Sequence, residues 1–498
     1  MKVQLMFADR SFPITPYPSL LADDLVQDLQ LETIFEAMSG DDRFLYNVVR
    51  SALLAPLRSV AEIRHRQQVL NDCIRRPNAI ADIYTLAGQA VAAERKIYVG
   101  FVRYHPSLVL HRAINVLSAL LPFLDRLHNI AATEVDSVTS PGLSALHRGI
   151  LADLDDEFFA AARQQLRLLQ FPDGVIIGKH LGQANTGVDD LLHPSEKEPL
   201  LERVGLSHGS SVSVQIPARD DAGAQALEDL RDRAVNHVAD AAGQAADFLV
   251  DYFRALRRET GFYLGCLNLR RRLADRGRSV VMPEVAEHDR RRWHGHGLYE
   301  PCLALSDHPA QVVPNDLDAD SANGVIITGA NSGGKSTFLR TLGTAQLMAQ
   351  CGMFVAADDF CCSVRTDVCS HFIREEDSTM SSGRFDDELI RLGKIVDAIG
   401  PGALILMNES LASTDAREAA DLGTEFLQAF ADRDVGFVFV THNYDLARRL
   451  RAELPDTIAL RAQRRDDGAR TYRVLPGEPL PTSFGKDIYQ RVMEGSLR

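Results

Sequence analysis

The stretch Gly324-Val325-Ile326-Ile327-Thr328-Gly329-Ala330-Asn331-Ser332-Gly333-Gly334-Lys335-Ser336-Thr337 decides how the rest of the chain is read. An apolar run, Val325 to Ile327, enters a glycine-rich turn with the spacing G-x-x-x-x-G-K-S. Glycines there let backbone N–H groups converge on phosphate oxygens with no Cβ in the way. The pattern assigns nucleotide contact to Gly329, Ala330, Asn331, Ser332, Gly333, Gly334, Lys335, Ser336 and Thr337. Lys335 supplies a point charge for the β- and γ-phosphates, and the Ser336 hydroxyl suits Mg²⁺. Apolar residues at helical spacing (Phe338, Leu339, Leu342, Leu347, Met348) predict a helix running to Cys351-Gly352, its positive end aimed at the same anion. ATP and Mg²⁺ are therefore the expected cofactors.

From Gly324 onward, strand-like and helix-like stretches alternate, the pattern of an α/β nucleotide-binding domain. The expected strands are Val325–Thr328, Met353–Ala356, Ser370–Ile373, Ala403–Met407 and Val435–Val440. Ala403 to Met407 ends in Asn408-Glu409. A carboxylate pair is usual at such a strand end, the first holding Mg²⁺ through water and the second orienting the attacking water. Asn408 can hydrogen-bond a metal-bound water but brings no charge. Glu409 remains as the base. Phe437 to Thr441 is a further apolar strand, ending at His442, which can hydrogen-bond a γ-phosphate. Glu409, His442 and Lys335 form the expected catalytic set, and Ser336 with Asn408 the expected metal set. Ser381-Ser382-Gly383-Arg384, before a helix at Phe385, suits either a phosphate or a simple helix cap.

Upstream, the chain reads as long helices. Leu21 to about Gly88, Ile80 to about Ile130, Leu143 to about Leu169, and Ala222 to about Arg276 carry helical spacing. Between them, Phe171 to Asp220 holds two short strand-like runs, Gly174–Gly178 and Ser211–Pro217. Residues 1–280 are therefore expected to form a helical core domain of long helices with a small β-containing insertion at 171–220, and residues 281–498 a P-loop ATPase domain of the α/β class. The fold class is α plus α/β.

The 498 residues are 45% hydrophobic and 24% charged, ordinary for a globular chain able to bury a large core. The formal net charge of −14 makes a poor static coat for nucleic acid, so any such binding rests on local basic faces. Seven scattered cysteines without a C-x-x-C pair suit reduced thiols in a cytoplasmic setting. The first residues lack an apolar signal-peptide core, and the apolar stretch Ile114 to Leu124 is too short to span a bilayer, so no membrane is expected.

With these motifs in hand, the chain resembles the MutS family of DNA mismatch-repair ATPases. Thr328 to Thr337 is similar to the family's TGPNMGGKST, including Asn331 inside the loop. Pro314-Asn315-Asp316, the run from Asn408 to Thr414, Thr441-His442, Leu475-Pro476-Gly477 and Ser483-Phe484-Gly485 resemble its other ATPase elements. Pro56-Leu57 followed by Ile63 to Val69 is similar, more loosely, to its helical core. The resemblance implies a homodimer in which ATP binding and hydrolysis open and close helical levers around DNA, in repair or recombination, with other repair proteins as partners. It also implies that Ser382 and Gly383 reach the γ-phosphate of the other subunit. Several departures go with it. Little sequence precedes the helical core, so a short member without mismatch-reading and connector domains is expected. Val312 and Val313 stand where the family often has an aromatic for the adenine, and Asn408 stands for Asp.

Arg254, Arg257, Arg258, Arg270, Arg271, Arg272, Arg276 and Arg278 cluster before the ATPase segment. They suit phosphate contacts to mismatched, branched or non-specific duplex, and equally a solvated helix face. The alternative to a DNA clamp is a nucleotide-gated protein-interaction module with slow or no hydrolysis. His294-Gly295-His296 has no further ligand at a recognised metal spacing and reads as an exposed loop.

Overall fold

The structure is a computed structural model that describes residues 1–13, 21–97, 105–172, 174–185, 187–193, 213–217, 219–306, 312–374 and 383–481. In chain order, the helical half contains α1 (Ala22–Leu29), α2 (Glu32–Ser39), α3 (Arg43–Leu53), α4 (Val60–Arg75), α5 (Pro77–Arg95), α6 (Pro106–Glu134), α7 (Pro141–Asp153) and α8 (Asp156–Leu169). The antiparallel pair β1 (Ile176–Leu181) and β2 (Gly187–His193) follows, then the 55-residue helix α9 (Asp221–Asp275). Next come β3 (Glu284–Ala286), β4 (Trp293–Leu298), α10 (Pro301–Leu305) and β5 (Asn315–Asp318). The remainder is β6 (Gly324–Gly329), α11 (Lys335–Gln350), β7 (Asp359–Ser363), β8 (Val368–Phe372), α12 (Arg384–Ala398), β9 (Leu404–Asn408), α13 (Ala416–Asp432), β10 (Gly436–Val440), α14 (Tyr444–Glu453), β11 (Thr457–Arg464) and β12 (Arg470–Pro476).

The chain divides into two compact units, one of residues 1–3, 81–138 and 144–257, the other of residues 4–80, 139–143 and 258–498. Residues 4–80 thus cluster with the phosphate-loop segment. In the first unit, Leu110, Ile114, Leu120, Leu124 and Leu127 of α6 are buried, as are Ile150 of α7, Phe159 of α8, and Val235, Val250 and Phe253 of α9. The Phe123 and Phe253 rings meet edge to face at 6.5 Å. Asp232 of α9 accepts from the Ser107 N–H at 3.0 Å, which satisfies one orphan donor at the start of α6. Helix α6 is longer than the apolar core read from the sequence. Its 29 residues, with a mean hydropathy of 1.5 over the best window, are long and apolar enough to cross a membrane, a property shared by core helices of soluble proteins.

The second unit is built on a six-stranded sheet ordered β12-β11-β6-β10-β9-β8, parallel except for the β11–β12 edge pair. The near-continuous apolar runs of β6, β9 and β10 are what a parallel strand covered on both faces requires. Ile326, Ile405, Met407, Phe437 and Phe439 form the core with Leu392 of α12, Leu427 of α13 and Leu446 of α14. A second sheet, β3-β7-β4-β5, joins the segment before the phosphate loop to the segment after α11. Two buried charges fix the N-terminal stretch of this unit. The Glu259 carboxylate accepts from the N–H groups of Leu5, Met6 and Phe12. The Arg66 guanidinium donates to the carbonyls of Met6 and Cys351 and stacks on Phe7 at 4.7 Å.

Three sequence expectations shift. Leu143 to Leu169 is two helices, because Asp155 takes extended backbone and caps α8 by accepting from the Phe158 N–H at 2.7 Å. Met353–Ala356 makes only a single bridge, Val355 to Val281, and the strand lies later, at β7. Of Ser211–Pro217, residues 213–217 form no strand and residues 211 and 212 lie outside the described residues.

Candidate nucleotide-binding and hydrolysis site

The phosphate loop leaves the carboxyl end of β6 and runs into α11. Ligands gather at the carboxyl ends of parallel strands, where loops rise from the sheet. Two glycines are required by geometry. Gly329 has φ 110°, and a Cβ there would lie 2.9 Å from the Ala462 backbone. Gly334 caps α11 at φ 91°, a left-handed backbone that only glycine adopts without strain. No side chain caps α11, so its first N–H groups stay available to an anion. Lys335 is buried and donates to the Gly329 and Ala330 carbonyls at 3.1 and 3.3 Å. Burial pushes its ammonium below the ordinary lysine value, while the nearby Glu409 charge opposes that shift.

The other two motifs arrive on neighbouring strands. In the sheet, β10 lies between β6 and β9, with Val440 paired to Ile327 on one side and to Asn408 on the other. The residues after each strand end therefore face one another. Ser336 Oγ donates to Asn408 Oδ1 at 2.9 Å. Glu409 Oε2 is in close contact with His442 Nδ1. That hydrogen bond raises the His442 pKa above its ordinary value, against burial, which lowers it. Glu409 sits at φ 57°, with its N–H donating to the Val440 carbonyl at 2.9 Å.

These groups border a cavity of about 890 Å³ lined by Asn331 to Phe338, Glu409 and His442, and also by Glu300, Leu303, Val312, Val313, Thr341 and Tyr472. Two of its supports come from outside the loop and the strand ends. Asn315 donates to the carbonyls of Val313 and Tyr472 and accepts from the Val474 N–H, so it ties β12 to the cavity wall. Arg470 Nε donates to the Asn331 carbonyl at 3.1 Å and so steadies the loop from β12. Tyr472 is an aromatic wall beside Val312 and Val313. Its strand, Thr471-Tyr472-Arg473, carries no motif, and only the pairing of β12 with β11 brings it there.

A Mg²⁺ ion fits this donor set. Ser336 Oγ and Asn408 Oδ1 are hard oxygens placed together, and such ions keep waters and share phosphate oxygens rather than requiring a full protein cage. Gly383 is exposed at the start of α12 and does not line the cavity, and Ser382 lies outside the described residues. His294-Gly295-His296 is not a loop but part of strand β4, paired with β5 and β7; His294 pairs with Asp320 at 2.9 Å, and His296 lies 3.7 Å from Asp316. Among the described residues no group of three or more metal-ligating side chains is assembled.

The arginine cluster divides. Arg254 pairs with Asp251 and Glu94, and Arg257 lies over the Tyr84 ring. Arg276 donates to the Ala304 and Ser306 carbonyls, and Arg278 stacks on Tyr299. Arg270, Arg271 and Arg272 are exposed.

The model of the MutS2 N-terminal domain matches residues 58–276, and that of MutS domain V matches residues 325–491. The chain belongs to the MutS family. It is similar to Endonuclease MutS2 of Lactiplantibacillus plantarum, 30% identical over 187 residues, covering 37% of this chain and 24% of that protein. It is also similar to DNA mismatch repair protein MutS of Syntrophomonas wolfei, 30% identical over 186 residues, 36% of this chain and 21% of that protein. Endonuclease MutS2 of Shouchella clausii is 33% identical over 140 residues. The matched segment thus spans about a quarter or less of the length of these curated relatives.

Proposed function

We propose that this MutS-family chain binds and hydrolyses ATP as a homodimer and uses the cycle to open and close helical levers around DNA, in repair or recombination in the cytoplasm. The observation that carries the reading is the convergence of Lys335, Ser336–Asn408 and Glu409–His442 on one cavity. Residues 1–280 would be the lever part, with 171–220 as its clamp-like insertion, and residues 281–498 the motor.

Lys335 would turn from the Gly329 and Ala330 carbonyls to the β- and γ-phosphates. Glu409 accepts the proton of the attacking water, and His442 holds that carboxylate and faces the γ-phosphate. Mg²⁺, held by Ser336 Oγ and through water by Asn408 Oδ1, would neutralise phosphate charge. Ser382 and Gly383 would complete the partner subunit's site, and Arg270–Arg272 would meet DNA phosphates. A second reading, slow hydrolysis with gating of a protein partner, is favoured by one observation: the Ser336–Asn408 pair is neutral.

The test is steady-state ATP turnover with homoduplex, mismatched duplex, four-way junction and single strand, at low and high salt. Stimulation by DNA that fades with salt is expected. Turnover and oligomeric state indifferent to every DNA would favour the protein-gating reading instead.

A further inference from the structure

We propose that His371 is a positioning residue for Glu409, acting through Ser410. The inference rests on ATP hydrolysis at the site described above. His371 is the fourth residue of β8, fully buried, and in the parallel β8–β9 pair it stands opposite Met407, just ahead of Asn408 and Glu409. Its ring and its backbone both grip one hydroxyl. Ser410 Oγ donates to the His371 carbonyl at 2.9 Å, and His371 Nδ1 lies 2.7 Å from the same oxygen. A hydroxyl has one proton, so the Nδ1–H donates and Ser410 Oγ accepts. Burial pushes His371 down to about 3, which keeps the ring neutral and this donor pattern constant across the physiological range.

The clasp sits in a strained turn. Glu409 has φ 57° and Leu411 has φ 66°, so two non-glycine residues in left-handed backbone flank Ser410. Such conformations persist only where the surroundings over-determine them, and they gather at functional sites. Three contacts do so here. The Glu409 N–H donates to Val440, the Leu411 N–H donates to Glu388 Oε1 at 2.8 Å, and the Ser410 side chain is held by His371. The first fixes the turn's start and the second its end. The His371 clasp fixes the peptide that leaves Glu409 and so sets where its carboxylate points. The clasp also leaves His371 Nε2 buried with no hydrogen-bond partner among the described residues, a cost that space-filling by an apolar side chain would avoid.

The experiment uses the full chain with saturating Mg²⁺ and DNA, and compares wild type with His371→Ala, Ser410→Ala and His371→Asn. The asparagine amide can donate from near the Nδ1 position. The readouts are kcat, KM for ATP, Kd for a fluorescent ATP analogue, and Tm. A misplaced reacting group costs between about tenfold and 100-fold. His371→Ala and Ser410→Ala are expected to lose kcat in that range with Kd within about twofold, and His371→Asn to recover most of it. Unchanged kcat in both alanine variants overturns the proposal, as does a parallel fall of kcat, nucleotide affinity and Tm that asparagine does not rescue. If His371→Ala does not fold, Ser410→Ala and His371→Asn decide it. A wild type with no turnover on any DNA sinks the hydrolysis reading and this role with it; a wild type that turns over beside an equally active His371→Ala sinks the positioning role alone.

Discussion

Ser336 Oγ donates to Asn408 Oδ1 across 2.9 Å, and β10 lies between the two strands that deliver them. The hydroxyl and the amide stand where a hydroxyl and a carboxylate usually share Mg²⁺. Replacing the amide by a charge should strengthen the metal site. Asn408→Asp is expected to raise ATP turnover about tenfold, the worth of one charged hydrogen bond. A magnesium titration of steady-state turnover checks this, and no change would show that the charge is supplied elsewhere.

In the proposed cycle Lys335 would give up two carbonyl contacts to reach phosphate, and its burial already disfavours an unpaired charge. Lys335→Ala should weaken nucleotide binding between about tenfold and 100-fold, since a hydrogen bond to a charged group is worth about 1.5–3 kcal/mol. Equilibrium binding of a fluorescent ATP analogue measures it directly.

Glu409→Gln keeps the shape of the side chain and removes the proposed base. Turnover should fall by about 100-fold or more, and ATP should accumulate on a closed dimer visible by size exclusion. Normal turnover in this variant would remove Glu409 from the base role.

The same substitution has a pH signature without nucleotide. The hydrogen bond that His442 Nδ1 donates to Glu409 raises the His442 pKa. The stability this pair contributes is therefore fully present below the unfolded histidine value of about 6.5 and is lost as pH rises through the higher folded value. Wild type should exceed Glu409→Gln in thermal stability most at acidic pH within the folded range, and the gap should close on the alkaline side. A gap that widens with rising pH would contradict the pairing.

Tyr472 is an aromatic wall of the cavity, with Val312 and Val313 in the same lining. Tyr472→Ala should weaken ATP binding about fivefold, close to 1 kcal/mol for a lost ring contact, while Tyr472→Phe should bind like wild type. Isothermal titration of the two variants separates ring from hydroxyl.

Arg66 is only 1% exposed, and it joins α4 to the N-terminal stretch and to the end of α11. Arg66→Ala should destabilise the second unit by about 3 kcal/mol, because it opens a cavity and leaves the Met6 and Cys351 carbonyls without their donor. Chemical denaturation reads that loss.

Much of the site was legible because its chemistry is local. Gly329 and Gly334 are demanded by backbone angles within one turn, and Lys335 and Ser336 follow by fixed spacing. Asn408, Glu409 and His442 stand out in the sequence because they follow apolar runs long enough to be buried strands. Tyr472, Arg470 and the pairing of His371 with Ser410 left no such trace. Tyr472 lies in β12, an edge strand, and His371 in an otherwise ordinary strand. Nothing in their neighbouring residues marks them. The Leu143–Leu169 region misled because helical spacing continues across Asp155, and only the capping geometry breaks it.

The sequence by itself determined that this chain carries a phosphate-binding loop, three strand-end polar residues and a long helical half, since each depends on residue type and spacing over a few turns of backbone. Tertiary structure alone decided the strand order that puts β10 between β6 and β9. It also decided the pairing of Ser336 with Asn408 and of Glu409 with His442, and the delivery of Tyr472 to the cavity wall. Those contacts join residues from 33 to 157 positions apart, and the free energy that selects them is apolar burial of whole strands and helices, which no local stretch encodes.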